Sequence, residues 1–180
     1  MNESEVLIAS GKYIKLVKRG KWEFAARTNS SAVVAIIPQT EKELVFIEQY
    51  RPPVNARVVE FPAGLVGDTA AFANEGLLEA AGRELEEETG YQAGKLTFLT
   101  RGPASAGACT EIIDCFLAED LQKTGPGGGD SSEDIAVYHV PFDEIDTWLK
   151  SREAAGCIID LKVYTLLYFW LKARTARHPH

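Results

Sequence analysis

The residues best equipped for chemistry lie together at positions 75–88. Six glutamates, Glu75, Glu79, Glu84, Glu86, Glu87 and Glu88, share this stretch with a single cation, Arg83. Glu84, Glu87 and Glu88 follow the i, i+3, i+4 spacing that places side chains on one helical face. Like charges at that spacing destabilise a helix, and here they crowd the end where the helix dipole prefers cations. Local rules broken in this way are expected where function overrides stability. A merely solvated acidic face would be expected to mix in lysines. A hard divalent cation removes the conflict: clustered carboxylates suit magnesium or manganese, with waters and substrate phosphates filling the remaining positions. Arg83 stands four residues from both Glu79 and Glu87 and can pair with either. Beside a cation it would also hold a carboxylate in its ligating orientation.

A helix must present that face. Asn74 offers an N-cap, Gly90 a C-cap, and Leu78, Ala81 and Leu85 an apolar stripe, which predicts an amphipathic helix of about four turns. Around it the chain reads as strands. Residues 5–27 form short ones with turns at Gly11 and Gly20, and others follow over 31–37, 44–50, 58–61, 95–99, 112–117 and 135–140. Residues 124–132 form a flexible glycine-rich loop without the Gly-Lys-Ser/Thr ending of a phosphate-binding loop. Two helices close the chain, one over 141–150 and one from an Asp160 N-cap to about Arg174. The apolar run 163–171 is too short to span a bilayer and predicts a core-packed helix. The order of elements implies one mixed-sheet domain with helices on its faces, preceded by a β segment.

Composition limits what such a domain binds. The 180 residues are 46% hydrophobic and 25% charged, enough for one well-buried core. The net charge of −7 argues against nucleic-acid and anionic-membrane binding, which need a basic face, but a divalent cation would still let the protein take phosphates. Cys109, Cys115 and Cys157 are odd in number and form no Cys-x-x-Cys pair, so a reduced, cytoplasmic setting fits best. Residues 1–9 carry two glutamates and no cationic start, unlike a signal peptide. No role is expected for His178-Pro179-His180.

The segment Arg83-Glu84-Leu85-Glu86-Glu87-Glu88-Thr89-Gly90-Tyr91, with Glu75 eight residues before Arg83, resembles the Nudix hydrolase signature Gly-x5-Glu-x7-Arg-Glu-U-x-Glu-Glu-x-Gly-U, where U is bulky and apolar. Two positions depart from it. Thr69 stands where the first glycine belongs, and the candidate glycine, Gly64 in Pro62-Ala63-Gly64-Leu65, comes five positions early. Residues 66–73 therefore read as a five-residue insertion that reshapes the pocket wall and spares the chemistry. Tyr91 replaces an aliphatic residue. Further along the chain, Glu48-Gln49-Tyr50-Arg51-Pro52-Pro53, Glu60-Phe61-Pro62-Ala63-Gly64 and the run from Trp22-Glu23 to Arg27 resemble the ADP-ribose and nucleoside-diphosphate-sugar branch of the family.

The resemblance implies an α/β fold, a Nudix-type α/β/α sandwich with a mixed sheet over residues 29–180, plus an N-terminal antiparallel β segment over 1–28 that serves dimerisation. It implies hydrolysis of ADP-ribose to AMP and ribose 5-phosphate. The alternatives are a dinucleoside-polyphosphate or coenzyme pyrophosphatase, and a non-catalytic module that binds ADP-ribose. By position, Glu84, Glu87 and Glu88, the Ala63 carbonyl and Glu133 would hold Mg2+, with Mn2+ as its substitute. Catalysis would fall to Glu133, as base or further ligand, with Glu87 and Arg83. Arg27 and Arg51 would clamp the diphosphate, with Glu60 behind them. Leu65 and Ser105 would touch substrate, although Ser105-Ala106-Gly107 lacks the proline that relatives carry there. Trp22 would stack on the adenine across a homodimer.

Overall fold

The computed structural model describes residues 3–30, 32–129 and 133–177. Ser31, expected to open a strand, positions 130–132 of the glycine-rich loop and His178-Pro179-His180 lie outside the described residues. Alternation decides the central layer. In β4 (Ala32–Pro38), Val34 and Ile36 are buried against one cluster and Ala35 and Ile37 against another. The two-residue period of a strand sends neighbours to opposite faces, so a strand apolar on both faces must lie between two layers. The strand β9 (Ile112–Lys123) repeats the pattern, with Phe116 and Ala118 on the first face and Cys115 and Leu117 on the second. It pairs with β4 in parallel.

β7 (Ala63–Val66) and β8 (Tyr91–Pro103) flank these two strands, giving the order β7-β4-β9-β8. Helix α1 (Leu77–Thr89) packs on one face through Ala80, Ala81 and Leu85. Fully burying a leucine such as Leu85 contributes about 2 kcal/mol. The other face meets Leu44 and Phe46 of β5 (Glu43–Arg51) and Val59 of β6 (Ala56–Glu60). Helices α2 (Ile145–Ala154) and α3 (Leu161–Arg177) close that side through Ile145, Leu149, Val163, Leu166 and Trp170. β5 and β6 belong to a second mixed sheet, ordered β10-β5-β6-β11, with β10 (Ile135–Pro141) and β11 (Ile158–Ile159) at its edges. The N-terminal residues form a separate antiparallel sheet of β1 (Val6–Ser10), β2 (Ile14–Arg19) and β3 (Trp22–Arg27). Mixed sheets with helices on both faces and an N-terminal antiparallel segment match the expected architecture.

Local boundaries moved where tertiary contacts outweighed propensity. Helix α1 begins at Leu77 with Gly76 as its N-cap, so Asn74 falls in the preceding turn. Ala81 and Leu85 of the expected stripe are buried, but Leu78 is 54% exposed and Leu77 packs in its place. The helix expected over 141–150 starts at Ile145 because Pro141 still pairs with Glu43 in the β10–β5 ladder. Helix α3 runs to Arg177, and Asp160 caps it by accepting the Lys162 backbone N–H at 2.7 Å.

Candidate active site

Helix α1 and strand β7 interlock. Gly64 leaves room for the Glu84 carboxylate: a Cβ there would stand 1.8 Å from the Glu84 carboxyl carbon, so a larger residue would displace that carboxylate. Next to it, the Ala63 N–H donates to Glu88 Oε2 at 3.0 Å. Glu88 is only 3% exposed. The glycine displaced from the family's usual position therefore sits directly against the acidic face.

Arg83 organises that face. Its Nε donates to Glu75 Oε2 at 3.1 Å, and its Nη2 to Glu75 Oε1 at 2.9 Å and to the Leu65 carbonyl at 3.0 Å. Its Nη1 donates to Glu84 Oε1 at 2.9 Å and to Glu87 Oε2 at 3.0 Å. The expected pairing with Glu79 does not form. Glu79 instead folds back to accept the Gly76 N–H at 2.8 Å, because the first turn of a helix leaves its donors without partners.

Burial sets the carboxylates apart. It pushes the Glu84 carboxyl up to about 7, and Arg83 offsets only part of this while Glu87 and Asp68 add repulsion. Burial raises Glu88 as well, against the Ala63 N–H, with Glu84 and Glu133 adding like charge. Glu75 goes the other way, held below the usual carboxylate range by its hydrogen bonds from Arg83. Among the described residues no three acidic, histidine or cysteine side chains already converge as a metal cluster. The donor set nevertheless fits a hard divalent cation: it is all oxygen, and two buried carboxylates resist carrying charge until a cation joins them.

These groups wall a cavity of about 450 Å³. Arg27, Arg51 and Lys162 line it too. Arg51, at the end of β5, donates from Nε to Glu60 Oε2 at 2.7 Å, and Arg27, at the end of β3, reaches Glu111 at 2.5 Å. Burial raises the Glu60 carboxyl, with Arg51 pulling it back. Two forked cations thus share the cavity with the acidic helix, each oriented by its own carboxylate.

Glu133 lies in the same wall, its carboxylate packed over Gly129. The glycine-rich segment before it, expected to be free, is docked as far as Gly129. Gly128 and Gly129 donate their N–H groups to the carbonyls of Glu88 and Glu87 at 2.8 and 3.0 Å. The physical reason is the end of α1, whose last carbonyls need donors. Close approach requires glycine on both sides, since a Cβ on Gly90 would stand 2.1 Å from the Gly125 carbonyl oxygen.

The cavity therefore brings together Ala63, Leu65, Arg83, Glu84, Glu87, Glu88, Glu133, Arg27 and Arg51 from the residues singled out in the sequence. Trp22 and Ser105 stand outside it within one chain. Trp22 is 58% exposed and lines a smaller depression of about 250 Å³ with Gly107 and Cys109. Ser105 turns its carbonyl to the Ala108 and Cys109 N–H groups, and its neighbour Ala104 reaches the cavity instead. Asp68, Glu111 and Lys162 were not anticipated. Lys162 carried a signal, since it follows the Asp160 cap at the start of α3. Asp68 and Glu111 lie in loops whose course no local pattern reveals.

The NUDIX domain profile matches residues 28–160. The chain belongs to the Nudix family. It is 33% identical over 178 residues to an ADP-ribose pyrophosphatase of Bacillus subtilis (strain 168), covering 92% of this chain and 89% of that protein. It is 31% identical over 189 residues to an ADP-sugar pyrophosphatase of Mus musculus, covering 89% of this chain and 83% of the relative. In three dimensions it superposes on the crystal structure of an ADP compounds hydrolase with a TM-score of 0.70 over 97% of this chain and 95% of that one, at 20% identity. That likeness carries the Nudix fold. The acidic face of α1 is thus the Nudix helix, and the enzyme class expected from the sequence, a Nudix pyrophosphohydrolase, stands.

Proposed function

We propose that this Nudix enzyme hydrolyses ADP-ribose, with water, to AMP and ribose 5-phosphate, using Mg2+ or, in its place, Mn2+. The observation that carries the reading is the cavity itself, which α1 carboxylates share with the guanidinium groups of Arg27 and Arg51. Carboxylates suit a cation, and guanidinium groups suit a diphosphate. Glu84, Glu87, Glu88 and the Ala63 carbonyl are the groups to hold the ion. Once bound, the ion supplies neutralisation of phosphate charge and activation of water.

The chain's own residues do the rest. Arg27 and Arg51 hold the diphosphate oxygens, and Glu60 and Glu111 keep those forks aimed. Glu133 accepts the proton of the attacking water. Arg83 fixes Glu84 and Glu87, and Leu65 bounds the substrate. Residues 1–28 act as a dimerisation element beside a hydrolase domain over 29–180. Its support is apolar: Val6, Leu7, Ile8, Ile14 and Leu16 of β1 and β2 are exposed. In that homodimer Trp22 stacks on the adenine held by the neighbouring subunit. No helix among the described residues is long and apolar enough to cross a membrane. A reducing cytoplasm suits the three cysteines.

The test is a substrate panel with Mg2+, scored by chromatography of the products. ADP-ribose, other nucleoside diphosphate sugars, dinucleoside polyphosphates and coenzyme A are compared by kcat/KM. The reading holds if ADP-ribose leads and yields AMP. A preference for coenzyme A or a dinucleoside polyphosphate overturns the substrate, and binding without turnover overturns the activity.

A further inference from the structure

The stretch that departs from the Nudix pattern is the one covering Arg83. Gly67, at φ +70°, turns the chain out of β7, and its N–H donates to Glu75 Oε1 at 3.1 Å. The backbone then folds through two turns, with the Phe72 N–H on the Thr69 carbonyl and the Glu75 N–H on the Phe72 carbonyl. This delivers Phe72 over the Arg83 guanidinium, 4.5 Å from its ring centroid to Cζ.

An arginine has five N–H donors, all in one plane. Arg83 uses every one, on Glu75, Leu65, Glu84 and Glu87. Only the flat faces of the guanidinium remain, and Phe72 covers one. The ring is itself 36% exposed, so it spends an apolar group at the surface to cover a cation. The arrangement matters because Glu84 and Glu87, the acceptors of Nη1, are carboxylates for which a metal ion competes. Once they are drawn to the ion, the seat of Arg83 depends on Glu75, the Leu65 carbonyl and the ring.

We propose that Phe72 is a positioning residue for the metal-binding carboxylates: it holds the guanidinium plane of Arg83, and through it the orientation of Glu84 and Glu87. The inserted loop then acts as a buttress of the site as well as a wall of the pocket. The inference rests on the reading of α1 as a divalent-cation site.

The probe is Mn2+ binding to the purified, substrate-free protein, followed by the electron paramagnetic resonance of the free ion. Phe72→Ala should weaken binding about two- to fivefold, the scale of an exposed cation–π contact. Phe72→Tyr should restore the wild-type affinity, and Phe72→Leu, which keeps bulk without a π face, should not. In an Arg83→Ala background, Phe72→Ala should change nothing further. Unchanged or tighter binding by Phe72→Ala overturns the proposal. So does full rescue by leucine, or the same loss in both backgrounds, because the loop would then act by packing alone. A wild-type protein that binds no Mn2+ removes the cation site itself, whereas wild-type binding with an indifferent Phe72→Ala removes only the role of the ring.

Discussion

Helix α1 buries carboxylates, whereas the β1–β3 sheet leaves apolar side chains in water. Glu88 is almost fully buried and Glu84 nearly so, and burial makes both reluctant to ionise. In the N-terminal sheet, Leu7 is 60% exposed, and Val6, Ile8, Ile14 and Trp22 are exposed beside it. Each departure costs stability in the isolated chain. A cation in the proposed site would relieve the first, and the proposed second subunit the second. The rigid platform differs as well. Helix α1 sits on a core of Val34, Ile36, Leu85 and Phe116, while the sheet meets the body through polar contacts of β3, where Ala25 exchanges hydrogen bonds with Ala108 and Thr110 and Arg27 pairs with Glu111. Chemistry needs carboxylates held still, and an interface needs a surface left uncovered.

Four measurements sharpen or break that contrast. The largest effect is expected at Glu133, which lines the cavity together with α1. Glu133→Gln should lower kcat by roughly 10²–10⁴ with little change in KM, as for loss of a general base. A loss below about fivefold in steady-state assays would return the role of base to Glu87.

Next come the buried carboxylates. Glu84→Gln and Glu88→Gln should each cost about 10²–10³ in turnover at saturating Mg2+, the scale for losing one preorganised charge in a site. The metal-free variants should melt no lower than the wild type, since a charge that resists burial has been removed. Near-native turnover in both would sink the assignment of α1 as the metal helix.

On the other region, Trp22→Ala should raise KM for ADP-ribose about ten- to a hundredfold, taking the stacking of bases on aromatic side chains as the scale. kcat should move less, because stacking binds substrate and transition state alike. Sedimentation should give twice the chain mass. A fully active monomer would mean that the exposed sheet serves something other than the site.

The last effect is on stability and not on turnover, a pH dependence confined to the helix. The Glu84 carboxyl lies at about 7 when folded against an ordinary 4.5. The folded state therefore favours its neutral form. That contribution is complete below about 4.5 and is lost as the pH rises through about 7. The metal-free wild type should thus lose up to about 3 kcal/mol relative to Glu84→Gln between pH 4.5 and pH 8. Paired urea melts across that range test it, and a difference independent of pH would show that Glu84 ionises freely. Saturating Mg2+ at pH 8 should return the loss, because the ion binds the charged form.

Much of the site was legible because its logic is local. The spacing of Glu84, Glu87 and Glu88 follows helical geometry, and Arg83 with its glutamates lies within one turn or two. Gly64 was legible only as a glycine five positions out of place. Its use, to admit the Glu84 carboxylate against β7, depends on a helix more than a turn away in sequence and on the pairing of β7 with β4. The glycine-rich segment misled for the same reason. Composition marks it as free chain, but the last carbonyls of α1 capture Gly128 and Gly129.

Side-chain type and spacing alone singled out the groups proposed to carry the chemistry. An i, i+3, i+4 acidic stripe, one arginine among six glutamates, and strands apolar on both faces follow from them. Tertiary structure decided which of those groups share a cavity. It brought Arg27 and Arg51 into one cavity with α1 while leaving Trp22 outside, through pairings between strands far apart in the chain. It also redirected Arg83 from Glu79 to Glu75, a residue outside the helix that the inserted loop brings back to it. Period is a property of neighbouring residues, whereas sharing a cavity depends on contacts between segments that have no fixed spacing.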